Sequence, residues 1–344
     1  MPLAITRRLA VALPLAGLLA LSLPAAAQTT NLRVHTGNPG ASTFAFTTTF
    51  QRVVQRELPM RLNVTSGMTA TRSTLDAARG DVDLYISAPA INHFMSNGIA
   101  MYADMPDAPE LSENLRGIVN FPLGPYHIIT FADSGITELD QIRGRRVFAG
   151  PPGGAATTVA LAIIRSATGL VEDEDYQLAR LDWTSGNQAF QDRQVDLAII
   201  PTELPSGSIQ QFALLNDIRF LGIDEEAMDV PPLLDMLAVP GRTIETIPPG
   251  IYGDNQVNTD PVQTVGSWVG LAVTHQLDDD VVYDLTRAIF ENLDDFHESA
   301  EWMRAVTPET ALAEMNVPLH AGALRYFREI GVEVPDNLVP PEAQ

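Results

Sequence analysis

The sequence of 344 residues contains no cysteine and no lysine, and its 21 basic residues are all arginine. Without cysteine there can be no disulfide, thiolate zinc site, iron–sulfur cluster or cysteine nucleophile. Without lysine there can be no Walker A phosphate loop, no Schiff base on a side-chain amine and no serine–lysine catalytic pair. These absences exclude several classes of enzyme before any motif is considered.

Positive charge is scarce, because 43 acidic residues outnumber the arginines and give a formal net charge of −22. This excess disfavours binding to nucleic acids and to anionic membrane surfaces. A small anionic ligand is still compatible with it, since salt screens distant charges over about 8 Å and a nearby arginine or helix end can dominate a cleft. The hydrophobic share of 45% and the length predict a folded chain with room for two domains.

The longest apolar run lies at the N-terminus. Arg7 and Arg8 precede the run from Leu9 to Leu23, and the small residues Ala25 to Ala27 follow it. This order predicts a secretory signal peptide over residues 1–27, with an N-terminal membrane anchor as the alternative. Because the run is short for a bilayer span and contains Pro14, we expect export, and a mature protein free in the periplasm.

Strands and helices alternate along the rest of the chain. Short apolar strands are predicted at 31–36, 62–64 and 83–87, and each is followed by a loop and a helical pattern. A second series begins at residue 125, with strands at 145–149, 196–200 and 218–222. The pattern predicts an α/β fold with two lobes, each a doubly wound and mostly parallel sheet.

Two extended runs, near residues 123–131 and 261–274, are predicted to join the lobes as a two-strand hinge. The predicted lobe I is then residues 28–123 with 265–344, and the predicted lobe II is residues 124–264. The intervening segment 224–261 is rich in proline, glycine and acids and is interpreted as an excursion and connector. Ligands of such sheets bind at the carboxyl ends of the strands, so the loops there are the expected binding wall.

The stretch Val147 to Thr158, VFAGPPGGAATT, predicts a strand, a tight turn and the start of a helix. Glycines allow the backbone to approach a ligand, and the first turn of a helix offers unpaired N–H groups and partial positive charge. This combination suits a carboxylate or phosphate. A βα turn that binds nothing is the alternative.

The order of several short segments resembles the TAXI family, the substrate-binding receptors of one class of TRAP transporters. The segments that carry the resemblance are 78–84 (ARGDVDL), 114–118 (NLRGI), 133–136 (DSGI), 142–147 (IRGRRV) followed by 150–153 (GPPG), 195–198 (VDLA), 249–252 (PGIY), 264–266 (TVG) and 280–283 (DVVY). The resemblance covers nearly the whole chain after the signal peptide.

The resemblance implies a two-lobed periplasmic solute-binding protein of type II that closes around a small ligand. It implies delivery to an ion-driven membrane permease, and ligands such as glutamate-like amino acids, dicarboxylates and 2-oxo acids. The presumed ligand loops depart from the family pattern at 38–44 (NPGASTF), 67–73 (GMTATRS) and around Gly154. We therefore expect the fold to follow the family more closely than the ligand does.

Candidate ligand-binding residues of the first lobe lie in loops that follow strands. Arg72 is singled out because its planar guanidinium matches a carboxylate, although a solvated surface arginine is the alternative. The hydroxyl groups near it either bind ligand or cap a helix. The remaining candidates of this lobe are Ser42, Thr43, Ser66, Thr69, Thr71, Ser73 and Ser87.

Candidates of the second lobe begin with the helix start after the glycine-rich turn, which with Arg72 would suit the two ends of a dicarboxylate. They are Gly153, Gly154, Ala155, Ala156, Thr157, Thr158, Trp183 and Thr202. Tyr126 and His127, in the hinge run, either reach the ligand or are ordinary half-buried residues. Arg72→Ala is expected to weaken binding severely.

Three functions remain open from the sequence. The first is the binding receptor, expected to be a monomer without cofactor, metal or catalytic residues. The second is a ligand-sensing module for a membrane sensor kinase. The third is a periplasmic hydrolase whose Ser/His/Asp triad assembles only in space, since no Gly-x-Ser-x-Gly or His-Glu-x-x-His motif is present.

Overall fold

A computed structural model of the chain describes Met1 and residues 29–343. The predicted signal peptide, apart from Met1, lies outside the described residues. Within the described part, no helix is both long enough and apolar enough to cross a bilayer.

The strands of the described chain are β1 Thr30–His35, β2 Met60–Thr65, β3 Leu84–Ser87, β4 Leu115–Phe131, β5 Arg146–Phe148, β6 Gln177–Leu178, β7 Leu197–Pro201, β8 Ile218–Phe220, β9 Arg242–Ile247 and β10 Val262–Thr274. The α-helices are α1 Ser42–Glu57, α2 Ala70–Ala78, α3 Pro89–Ser96, α4 Ala108–Ser112, α5 Ala155–Thr168, α6 Trp183–Gln191, α7 Gly207–Ala213, α8 Glu225–Met228, α9 Leu233–Leu237, α10 Asp279–Phe290, α11 Leu293–Ser299 and α12 Ala321–Glu329. Helix ends follow local chemistry: Asp278 caps α10 through its side chain, and Gly169 ends α5 at φ 73°.

The strands form a sheet with the order β2-β1-β3-β10-β4-β7-β5-β6, with β8 on β4 and β9 on β10. Within each half the short strands are parallel, as in β1 with β2 and β3, and β5 with β6 and β7. The long strands β4 and β10 are antiparallel to their neighbours and run through both halves. They are the physical connection between the two lobes.

Buried side chains form one large cluster around β1–β3 and two smaller clusters around β5–β8. In the large cluster the ring of Phe46 stacks on that of Phe121, with centroids 4.5 Å apart. In the other half the ring of Phe131 stacks on that of Phe190 at 4.6 Å. Each fully buried phenylalanine contributes about 1.5–3 kcal/mol, so each lobe has its own apolar support.

The α/β class and the two-lobed arrangement predicted from the sequence are confirmed. Three element predictions were wrong in extent. Strand β4 begins at Leu115 rather than near residue 123, although it contains prolines and Gly124. The sequence pattern also predicts a short helix over 188–193, but helix α6 begins at Trp183 because Asp182 caps it. The presumed connector 224–261 contains β9, which is held by pairing with β10 rather than by local propensity.

Candidate functional site

A cavity of about 620 Å³ lies between the two halves of the protein. Its lining comes from the loops after β1 and β2, from the helices that follow them and from β3 and α3 on one side, and from α5, α6, α7 and the end of β7 on the other. We call the lining residues 36–43 and 68–73 the first wall, and the lining residues of α6 and α7 the second wall.

The first wall is built from two helix starts whose loops are joined. The N–H groups of Gly67 and Met68 donate to the carbonyl oxygens of Gly37 and Thr36, at 3.1 and 3.0 Å. Thr69 caps α2 by accepting from the N–H of Arg72 at 3.3 Å. These bonds hold the starts of α1 and α2 side by side at the cavity.

Two buried residues of the first wall have hydroxyl groups without a protein partner. Thr43 is 8% exposed and Ser73 is 2% exposed, and both line the cavity. Within residues 29–343 neither side-chain hydroxyl makes a hydrogen bond, although the carbonyl of Thr43 accepts from Thr36 and Thr47. Buried polar groups normally have partners, so these two are available to a ligand.

The second wall is one face of α6 together with part of α7. Gly186 packs α6 closely on Phe148, since a Cβ at that glycine would lie 2.2 Å from the ring. This contact turns Trp183, Asn187 and Gln191, spaced four residues apart, toward the cavity. The Trp183 ring meets Phe148 edge-on with centroids 5.5 Å apart, which restrains the tryptophan.

Helix α5 begins at the same cavity. Gly150 has φ 103°, where a side chain is disfavoured, and the Thr157 hydroxyl donates to the carbonyl of Pro151 at 2.7 Å. Within the described chain the start of α5 has no side-chain cap, and its first turn carries no acidic residue. The N–H groups of Ala155 and Ala156 therefore remain available beside the cavity.

No charged side chain lines the cavity in the described part of the chain. Polarity comes from hydroxyls, backbone groups and the amides of Asn38, Asn187, Gln188, Gln191 and Gln211. The starts of α1, α2 and α5 each carry partial positive charge, and none has an acidic residue in its first turn. The cavity thus favours an anion without presenting a cationic side chain.

A hydrogen-bond network stands behind the second wall. Thr202 lines the cavity, and its hydroxyl lies 3.1 Å from that of Ser206 and bonds the buried carboxylate of Glu203. Glu203 is 7% exposed, and no ion pair to it occurs among the described residues. This acid lies directly behind the lining residue Thr202 on that side of the cavity.

The same network reaches His127. The Tyr252 hydroxyl accepts from the N–H of Ser206 at 3.1 Å and donates to Nε2 of His127 at 2.6 Å. Nδ1 then carries the proton and donates to the carbonyl of Pro125 at 3.1 Å. Complete burial lowers the pKa of His127 to about 4, so the imidazole is neutral at pH 7.

Arg72 does not face the cavity. Its side chain is 62% exposed, and its Nε donates to the carboxylate of Asp76 at 2.8 Å. Asp76 is buried and lies close to His35, whose pKa is lowered mainly by burial. The guanidinium is therefore held by a carboxylate of its own helix.

Half of the candidate residues line the cavity. They are Thr43, Thr69, Thr71, Ser73, Gly154, Ala155, Ala156, Trp183 and Thr202. The others lie outside the described lining: Ser42, Ser66, Arg72, Ser87, Gly153, Tyr126, His127, Thr157 and Thr158. Ser87 bonds Asn92 at 2.9 Å, and Tyr126 is buried beside Arg242, so both serve the surrounding structure.

Sequence reasoning missed most of the second wall. Asn187, Gln188 and Gln191 of α6, and Ser208, Gln211 and Phe212 of α7, line the cavity. The spacing of Trp183, Asn187 and Gln191 after a capping aspartate was the available signal. Asn38 of the first wall was also missed; its amide nitrogen donates to the hydroxyl of Thr184 across the cavity at 3.2 Å.

In residues 29–343 no serine or threonine hydroxyl is hydrogen-bonded to a histidine. No group of three or more His, Asp or Glu in that range could hold a metal ion.

Solved structures with the same fold include a protein described as a periplasmic transporter, with a TM-score of 0.50 and 18% identity over 81% of this chain and 88% of that one. The alkanesulfonate-binding protein SsuA from Xanthomonas axonopodis pv. citri, bound to MOPS, scores 0.46 at 13% identity over 89% and 92%. A TRAP periplasmic solute-binding protein from Rhodobacter sphaeroides scores 0.40 at 16% identity over 88% and 95%. At these identities the likeness concerns the fold alone, and the two scores below 0.5 carry no inference about ligands.

The chain thus shares its fold with the protein described as a periplasmic transporter. The profile of the NMT1-like family matches residues 34–331, which is most of the sequence. The chain belongs to the NMT1-like family.

Proposed function

We propose that the protein is the periplasmic substrate-binding receptor of a TRAP-type transporter of the TAXI class. It captures a small organic acid in the cavity between its lobes and delivers it to an ion-driven membrane permease. The observation that carries the proposal is the cavity, because both halves line it and two continuous strands join those halves. A ligand that contacts both walls favours the closed state by its binding energy.

The proposal includes the lobe boundaries 28–123 with 265–344, and 124–264. The large core cluster draws mainly on the first of these sets and the two smaller clusters on the second. The exceptions are Ala155 and Val239, which pack on the first lobe, and Val265, which packs on the second. It also includes cleavage of residues 1–27, release into the periplasm and action as a monomer.

The test of binding is a thermal-shift screen of the mature protein, refolded to remove carried-over ligand. The panel contains C4–C6 dicarboxylates and their monoamides, 2-oxo acids, glutamate, glutamine and neutral amino acids. A ligand at a hundred times its Kd stabilises the native state by about 2.7 kcal/mol, which is readily measured. Saturable one-to-one stabilisation supports a receptor, and no shift with any compound contradicts it.

The transport partner is tested by uptake. Deleting the gene should abolish uptake of the compound found in the screen, and purified receptor should restore it to vesicles that contain the permease and an ion gradient. Uptake that survives the deletion, together with a lost transcriptional response to the compound, would instead indicate the sensor function.

A further inference from the structure

We infer that the cavity selects an acid with a single carboxylate and an uncharged, hydrogen-bonding far end, such as the monoamide of a dicarboxylic acid. This inference rests on the proposed function and narrows its ligand class. It departs from the dicarboxylates that the sequence resemblance favours. Three features of the cavity support this inference. They are the helix starts, the amide side chains of the second wall and the buried carboxylate behind Thr202.

The carboxylate end is provided by the helix starts. Helices α1, α2 and α5, of 16, 9 and 14 residues, begin at the cavity without an acidic residue in the first turn. The backbone N–H groups of Thr43, Thr71 and Ala155 lie in those first turns and have no carbonyl of their own helix to bond. One carboxylate at the starts of α1 and α2, which the bonds between their loops hold side by side, is stabilised by hydrogen bonds and partial positive charge.

The buried residues Thr43 and Ser73, whose hydroxyl groups have no protein partner, are the independent sign that this wall receives a ligand. They line the cavity, are more than nine-tenths buried, and have no partner among the described residues. A carboxylate accepts hydrogen bonds only, so hydroxyls and N–H groups match it and leave no acceptor facing an acceptor.

The far end meets a different surface. The second wall presents Asn187, Gln188, Gln191 and Gln211, and the Oδ1 of Asn187 is buried without a hydrogen-bond partner in residues 29–343. Amides donate and accept, so they match a carboxamide or hydroxyl better than an acceptor-only carboxylate. A second carboxylate would be desolvated there without a cation, and the carboxylate of Glu203 lies just behind Thr202.

The cavity lining also contains apolar side chains. They are Ile86, Ile91, Leu123, Ile200, Phe212 and Val269. A methylene chain between the two polar ends therefore loses water against matching surface. Charged groups in this part of the ligand would lose their water against the same apolar surface without gaining partners.

The decisive measurement compares near-isosteric pairs by calorimetry at pH 7.5: glutarate with its monoamide, and adipate with its monoamide. We expect the monoamide of at least one pair to bind about tenfold or more tightly than the dicarboxylate. Equal binding, or preference for the dicarboxylate, overturns the inference while the receptor function stands. The inference is also overturned, and the receptor function still stands, if neither monoamide binds but another compound of the thermal-shift panel does. If no compound in the panel binds, the proposed function itself fails.

A charge-switch variant tests the same point from the protein side. Gln191→Arg adds a cation to the second wall, and Gln194→Arg adds one at an exposed position outside the lining. Gln191→Arg should raise the affinity for glutarate about tenfold relative to the wild type, whereas Gln194→Arg should not. If both variants bind glutarate and its monoamide as the wild type does, the second wall does not discriminate between a charged and an uncharged far end of the ligand.

Discussion

The first wall of the cavity offers helix starts and hydroxyl groups, whereas the second wall offers amide side chains and Trp183. The first wall follows directly from topology, because the loops after parallel strands all open at one edge of the sheet. The second wall depends on how a helix face is turned by packing, at the contact of Gly186 with Phe148. The first wall was therefore largely predictable from the sequence, whereas the second wall was not.

The largest effect is expected where β4, one of the two strands that join the lobes, packs against Thr202. Gly124 of β4 has φ 109°, and a Cβ there would lie 2.3 Å from the carbonyl oxygen of Thr202. Gly124→Ala should lower the free energy of unfolding by about 3 kcal/mol, from overpacking and backbone strain together. Urea unfolding followed by circular dichroism measures it.

Gly153→Ala is the matched control, because Gly153 also has a positive φ of 71° but has no atom within 4 Å of an added Cβ in the described structure. It should cost only about 1 kcal/mol. Equal losses for the two variants would mean that the contact between β4 and Thr202 is not tight.

The second largest effect concerns the buried network behind the second wall. The unfolded His127 gains a proton near pH 6.5, but the folded one only near its pKa of about 4. As the pH falls between these values the unfolded state binds more protons, so stability falls, by about 3 kcal/mol in full. Above pH 6.5 and below pH 4 this contribution does not change with pH.

Guanidinium unfolding at pH 7 and pH 4.5 tests this, with His127→Gln as the variant. Glutamine keeps an acceptor for the Tyr252 hydroxyl but cannot titrate, so the loss of stability on acidification should be smaller than in the wild type. His275→Gln, at an exposed histidine, controls for the loss of an imidazole. Parallel pH dependences for His127→Gln and the wild type would count against a neutral buried His127.

A smaller effect is expected from a hydroxyl of the first wall. Thr43→Val keeps the shape of the side chain and removes a group that we propose bonds the ligand carboxylate. The affinity for glutarate monoamide should fall about tenfold, with little change in thermal stability without ligand. Thr48→Val, five residues further along α1 and outside the cavity lining, is the control. An unchanged affinity for Thr43→Val would remove this hydroxyl from the site.

The smallest effect is expected at Arg72, which lies next to the first wall but pairs with Asp76. Because the guanidinium is exposed and points away from the cavity lining, Arg72→Ala should change affinity by less than about twofold. Calorimetry with glutarate monoamide measures it, and Arg79→Ala is a comparable exposed arginine. A severe loss of affinity for Arg72→Ala but not for Arg79→Ala would support the expectation drawn from the sequence. It would mean that the Arg72 guanidinium acts as a cation at the first wall.

The sequence by itself determined the α/β class, the two series of strands, and the turn that begins α5, because these depend on residues close together in the chain. It also placed Thr43, Ser73 and Gly154 at strand ends, where topology alone brings loops together. The cap at Asp182 and the spacing of Asn187 and Gln191 were also local signals for helix α6. Gly186 weakened that signal, because glycine is unfavourable inside a helix.

Only the tertiary structure decided which candidates reach the cavity. Arg72 was expected to bind ligand, but a carboxylate one turn away holds its guanidinium, and the rotation of α2 sets where that pair lies. The length of β4 and the presence of β9 were likewise fixed by pairing with β10. The physical reason is the same in each case: partners distant in sequence outweigh local propensity, and their contacts exist only once the lobes have folded.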